Sequence, residues 1–234
     1  MSRRKKKTRS RLRLVLLWAL LFVVGSQTAY LILLKWIDPP LTITQVLAAF
    51  EERRFERKYV ELESISIHAR LAVIAAEDQR FPSHNGFDWR SIQQTIQHNR
   101  KHKKRIRGAS TISQQAAKNI FLWQTRSWPR KGLEAYFTVL IELTLEKRRI
   151  LKIYLNIIEM GPGIFGIEAA AKHYFNKPAG ALGRREAALI AACLPNPKIY
   201  RADKPTPRIR NKAKWILEQM EILRKSASFR PLLD

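Results

Sequence analysis

The pattern of apolar and polar positions divides this chain into one long apolar run followed by a series of helix-sized periods. Residues 14 to 34, LVLLWALLFVVGSQTAYLILL, hold no charged side chain. Twenty-one residues extend roughly 31 Å as a helix at about 1.5 Å per residue, enough to cross a bilayer. Asp38-Pro39-Pro40 closes this segment, because consecutive prolines stop a helix. Residues 38 to 63 read as a charged connector, with a short helix around Val46 to Arg57. From Ser64 the periods are helical. Ile67, Leu71 and Ile74 recur at helix spacing and lead to Glu77 near that helix's end, and Phe81-Pro82 follows. Asp88 is placed to cap a second helix through Ile96. Residues 98 to 107, HNRKHKKRIR, lack an apolar period and read as a solvated loop. Thr111 and Gln114 have capping-box spacing, so a helix is expected from Thr111 to about Asn119. Leu133 to Leu155 predicts one or two core helices, broken by Gly161-Pro162-Gly163. Further helices are expected over 166–175, 184–194 and 208–225. No alternating strand pattern is found, so the expected class is mainly α.

Charge adds a topology. The formal net charge is +25, and the first thirteen residues hold eight Lys or Arg and no acid, leaving +17 on the remainder. A basic flank keeps residues 1 to 13 cytoplasmic by the positive-inside rule, which puts the body across the membrane. The apolar segment, taken with its turn as residues 14 to 37, then reads as a transmembrane helix rather than a cleaved signal peptide, because the positions a peptidase would read (Gln27, Ala29) are poor. Basicity of the body suits nucleic acid, an anionic membrane surface or an anionic substrate. The single cysteine, Cys193, excludes an internal disulfide and lies in an apolar run, so a buried thiol is expected. Five His without HExxH spacing predict no zinc site.

The candidate chemistry lies in three polar blocks. Glu77 and Asp78 end an apolar helix, and a carboxylate among apolar groups can serve as general base or acid, though a solvated helix-end carboxylate is the blander reading. Ser110, Thr111, Ser113, Gln114 and Gln115 are a dense set of neutral donors and acceptors of the kind a sugar-binding cleft uses. Arg130 and Glu134 share a helix face at i and i+4, most simply as a surface ion pair.

The blocks EDQRFPSHNGFD, GASTISQQAAKN and RKGLE, with RRILKIYLN and AAKHYFNK later, resemble in kind and order the peptidoglycan glycosyltransferases. The resemblance covers about Ile65 to Pro197. It implies a lysozyme-like domain over residues 64 to 234 that polymerises lipid II, by an inverting transfer, into β-1,4-linked glycan with release of undecaprenyl diphosphate. It implies Glu77 as catalytic base and Glu134 as a second essential acid. Thr111, Gln115, Lys118, Asn119 and Arg130 match positions lining the donor site, and Asp78, Phe81 and His84 match residues shaping the first block. Lys152 departs from the family's usual Glu. No cofactor is required by this reading; a divalent cation, Mg or Mn, is left open at the diphosphate, and no carboxylate cluster suggests a tight metal site. Lipid II, the lipid-linked glycan and the membrane are the implied partners, transpeptidases or division proteins are further candidates, and nucleic acid is not. The implied place is the cytoplasmic (inner) membrane of a walled bacterium, with a single pass and the catalytic domain on the outer, periplasmic face. The only S-x-x-K is Ser2 to Lys5 and K-T-G is missing, so no transpeptidase activity is expected. Phe121, Leu122, Trp123 and Trp128 suit either the membrane interface or the core. Two other readings compete. A lytic muramidase would use a Glu acid in a similar fold, yet has no diphosphate for Lys118 and Arg130 to hold. A tethered nucleic-acid binder would use residues 98 to 107, which this topology turns away from the cytoplasm.

Overall fold

The computed structural model describes residues 2–52, 54–102, 108–125 and 127–233, and divides the chain into two compact units, Met1–Asp38 and Pro39–Asp234. In the first unit a single helix, α1 (Ser2–Leu33), carries the apolar stretch Arg13–Leu33, long enough to cross a membrane. The helix includes the basic flank and stops earlier than the expected 37. Residues 34 to 37 instead tighten into a turn, with Lys35 and Trp36 donating to carbonyls three residues back.

In the second unit α2 (Ile43–Glu51) begins at a Thr42–Gln45 capping box, then the chain extends into strand β1 (Glu56–Arg57). Residues read as connector thus carry regular structure, and the helix expected to run to Arg57 ends at Glu51. Next come α3 (Ile67–Glu77), α4 (Trp89–Lys101), α5 (Ile112–Phe121), α6 (Trp128–Thr144) and α7 (Lys147–Ile157). Strands β2 (Glu159–Gly161) and β3 (Ile164–Phe165) follow, then α8 (Ile167–Phe175), α9 (Arg184–Cys193), α10 (Pro207–Lys225) and the terminal turn α11 (Arg230–Leu233). The three strands form one sheet in the order β1-β3-β2, with β1 parallel and β2 antiparallel to β3. The mainly α class holds, but the sheet corrects the expectation of no strands. Strands of two or three residues are too short to display a period of two.

α3 is the central element. Ser66 caps it, its Oγ accepting from the Ala69 N–H and donating to the Leu182 carbonyl. Every residue from Ala69 to Ala75 is buried, so the helix is packed on all sides, chiefly by α9 and α10. Burying Leu71 and Ile74 contributes about 1.5–3 kcal/mol each by transfer. The helix ends at Glu77 and leads that carboxylate out of the core. α5 packs on α6 and α7 in the same way, with Ile112, Ala116, Ala117 and Ile120 buried. The apolar stretch predicted as one or two helices is two, because Leu145 and Glu146 are extended.

α4 corrects the reading of residues 98 to 107. The helix continues through Lys101, and His98 and His102 stack with ring centres 4.5 Å apart. Asp88 caps it as expected, accepting from the Ser91 N–H at 3.0 Å. The basic last turn suits the negative end of the helix dipole. No residue of α4 is buried, so it offers no apolar period to read. Residues 103 to 107 lie outside the described residues.

Candidate active site

α3, α4, α10 and the segment before α5 enclose a cleft of about 940 Å³. Glu77 lies in its wall, half-buried, where α3 leaves the core. The Gln115 amide of α5 donates to Glu77 Oε2 at 2.6 Å, and its oxygen accepts from the hydroxyl of the fully buried Tyr154 at 3.2 Å. This relay from α7 through α5 fixes the carboxylate's orientation. Burial pushes the Glu77 carboxyl above the usual carboxylate range; the Gln115 hydrogen bond and the positive charges of Lys212 and Lys118 oppose the rise, and Asp78 adds to it. A desolvated carboxylate with a raised pKa and a fixed orientation is equipped to act as a general base. The reading of a solvated helix-end carboxylate is thereby corrected.

Asp78 also borders the cleft, but it is fully engaged. Both its oxygens lie 3.0 Å from His84 Nε2, and Oδ2 accepts from the Ile112 N–H at the start of α5. A carboxylate there satisfies an otherwise open backbone donor and complements the helix dipole. Phe81 is completely buried, its ring 6.4 Å from the His84 ring and beneath the Lys147 ammonium. Phe81 and His84 therefore hold the block together from behind rather than facing the cleft. Thr111 does face it. Its Oγ1 accepts from the Gln114 N–H and donates to the Gly86 carbonyl at 2.6 Å, and the Gln114 side chain returns to the Thr111 N–H. Gly86 has φ of +88°, and a Cβ there would meet Thr138 Cγ2 at 2.7 Å, so only glycine fits between α5 and α6.

The remaining candidates follow α5 to α6. Lys118, half-buried, sits three residues beyond Gln115, close enough for its charge to act on Glu77. Asn119 is buried, its amide donating to the Gln115 carbonyl and its oxygen accepting from Gln124, so it serves the helix rather than the cleft. Arg130 and Glu134 on α6 form a buried pair, Nη1 to Oε2 at 2.8 Å, and Lys131 also donates to Glu134. The surface ion pair expected from spacing is in fact internal. Arg130 Nε is buried and has no partner among the described residues. This pair does not line the 940 Å³ cleft. α5 links the two regions, reaching Glu77 through Gln115 and packing against α6. Lys152 pairs with the exposed Glu61 at 2.7 Å, away from this machinery.

The cleft holds residues the sequence does not single out. One polar stripe of α4 faces it through Arg90, Ser91, Gln94, Thr95 and His98, and α10 adds Lys212 and Trp215. The stripe's spacing of one, four, five and eight was readable. Nothing in the sequence tied Lys212 to Glu77, more than a hundred residues earlier.

Among the described residues, no group of three or more His, Cys, Asp or Glu could hold a metal ion. Cys193 is buried as expected, and burial pushes its thiol up to about 11.

The transglycosylase family model matches residues 43–221. A biosynthetic peptidoglycan transglycosylase of Aeromonas hydrophila is 51% identical over 210 residues, covering 88% of this chain and 87% of that protein. One of Mannheimia succiniciproducens is 49% identical over 209 residues, covering 86% and 85%. One of Salmonella arizonae is 57% identical over 165 residues, covering 70% and 68%. With residues 43–221 matched by the family model and relatives of about half identity covering most of its length, the chain belongs to the transglycosylase family.

Proposed function

We infer that this chain is a peptidoglycan glycosyltransferase that polymerises lipid II into β-1,4-linked glycan strands in cell wall biosynthesis, with Glu77 as its base. The observation that carries the assignment of roles is the Tyr154–Gln115–Glu77 relay, which holds a desolvated carboxylate at the cleft wall. The acceptor sugar's 4-hydroxyl gives its proton to Glu77 as its oxygen attacks the donor's anomeric carbon. The bond from that carbon to the diphosphate breaks on the opposite face, so the α-linked donor yields a β bond. Undecaprenyl diphosphate leaves with the electron pair. Lys118 and Arg130 meet the charge that grows on it, Arg130 with its unpartnered Nε–H. Glu134, accepting from both Arg130 and Lys131, is suited to orient the guanidinium. A divalent cation, Mg or Mn, finds no protein ligand set among the described residues, and Glu134 is already engaged by two cations. Such an ion would be held by diphosphate oxygens and water, and no step here depends on it.

The substrate's lipid tail gives the apolar helix a purpose. We place the protein in the cytoplasmic (inner) membrane with a single pass, its N-terminus cytoplasmic and the catalytic unit on the periplasmic face. The basic residues before α1's apolar stretch support that orientation. α6 exposes Trp128, Leu133, Tyr136, Val139 and Leu143, and Trp123 precedes it, an apolar stripe suited to the interface. The apolar residues around the start of α6 divide between the two expected roles. Leu122 is buried and Phe121 stacks on Phe137, whereas Trp123 and Trp128 are exposed. Purified protein given labelled lipid II is expected to make long, uncross-linked glycan and to leave finished sacculi intact. Sacculus digestion without polymer would instead indicate a lytic enzyme.

A further inference from the structure

Lys212 has no part in the three polar blocks, yet it shares the cleft with Glu77. It is on α10, which packs against both α3 and α9, so its position is set by the same core that places Glu77. Ile209, Ala213 and Ile216 of the same helix are buried, leaving the half-buried Lys212 at the edge of that packing with access to the cleft. A lysine in such a place loses hydration and is retained at neutral charge balance only beside an anion. Glu77 is among the acidic groups that line the same cleft. Burial lowers the Lys212 pKa, and Glu77 is the largest influence raising it again.

We propose that Lys212 is a positioning residue for the transfer: sharing the cleft with Glu77, its ammonium acts across it on the carboxylate that takes the acceptor proton. The proposal rests on the reading of Glu77 as base. Several other groups act on the same carboxylate. Asp78 at the end of α3 opposes ionisation, and Lys118 on α5 favours it less strongly than Lys212 does. Tyr154 on α7 is neutral, held well above its ordinary range by burial and by the neighbouring carboxylates. Arg208 on α10 and Cys193 on α9 act on Lys212 itself. Arg80, Asp88, Arg90 and His98 line the cleft, and Arg80 is taken up by Asp88 at 2.7 Å. The Gln115 hydrogen bond is the larger influence offsetting the desolvation of Glu77, and Lys212 follows it. Without Lys212, the base would be protonated over more of the working range.

The test compares wild type, Lys212→Met, Lys212→Arg and Glu77→Gln as full-length protein in detergent, measuring kcat/KM for labelled lipid II against pH. Met keeps the apolar stem and removes the charge. The acid limb of Lys212→Met is expected to move to higher pH by about one unit, a roughly tenfold loss on that limb, with recovery above it. Arg should restore the wild-type limb. A uniform loss at every pH, with the midpoint unmoved, would overturn the proposal and leave Lys212 a packing residue. Should Lys212→Met not fold, Lys212→Gln is read the same way. Glu77→Gln separates the two levels: near-normal turnover there removes the base itself, whereas an inactive Glu77→Gln with an unmoved Lys212→Met limb rejects only Lys212.

Discussion

Glu77 joins two opposed demands in one side chain. Burial favours its protonated form, while catalysis needs the carboxylate. Activity should therefore rise with pH through a midpoint above that of an ordinary carboxylate, as kcat/KM profiles would show. The same shift has a stability consequence of known sign. The folded state holds this proton more tightly than the unfolded chain, so stability from Glu77 is full below about pH 4 and declines as pH climbs to the raised folded value. Glu77→Gln should thus melt higher than wild type at neutral pH, and the two should converge in acid. Gln keeps an oxygen to accept from Gln115. Arg130 and Glu134 pose a different problem, because truncating one member of a buried pair costs about 3–5 kcal/mol in stability and hides any catalytic effect. Arg130→Lys keeps the charge and loses the Nε–H donor. It should fold, and should lower turnover by roughly a hundredfold if the guanidinium holds the departing diphosphate. A wild-type rate in that variant would restrict Arg130 to supporting Glu134.

Between elements, the site depends on a few joints. Gly86 links the first block to the α5 cap and lies against Thr138 of α6. Gly86→Ala puts a Cβ at positive φ, a strain of about 1–2 kcal/mol, and against Thr138 at 2.7 Å. It should lower both Tm and activity, whereas Gly132→Ala, open on all sides, should leave activity intact. Joints of this kind explain what the sequence made legible. Capping residues announce themselves locally, and Thr111–Gln114 and Asp88 were readable because each acts within three residues. α3 was readable from its apolar period. The last turn of α4 was hidden because the helix buries nothing, and β1 to β3 because they are two or three residues long. Of the residues in the polar blocks, Glu77 and Thr111 line the cleft, and Lys118 lies close enough for its charge to act on Glu77. Which members face the cleft was set by packing: Phe81 and Asn119 turned inward and the Arg130–Glu134 pair was buried. Lys212 was hidden because only the packing of α10 on α3 brings it to Glu77.

At the scale of the whole molecule, the chain separates the work of being in the membrane from that of catalysis. The unit Pro39–Asp234 has its own core, and every matched block lies within it. Removing residues 1 to 37 should leave a folded domain that polymerises lipid II in detergent, while cell-wall synthesis in cells falls because the domain loses its route across the membrane and its confinement there. An unrelated transmembrane helix of the same orientation should restore it. Failure of a correctly localised chimera would assign α1 a specific contact. The most direct check of the central claim separates binding from turnover at Glu77. Glu77→Gln should bind lipid II with near wild-type affinity yet form no glycan polymer under single-turnover conditions, since it keeps the shape of the site and lacks the base. Polymerisation at a near wild-type rate in that variant would contradict the account.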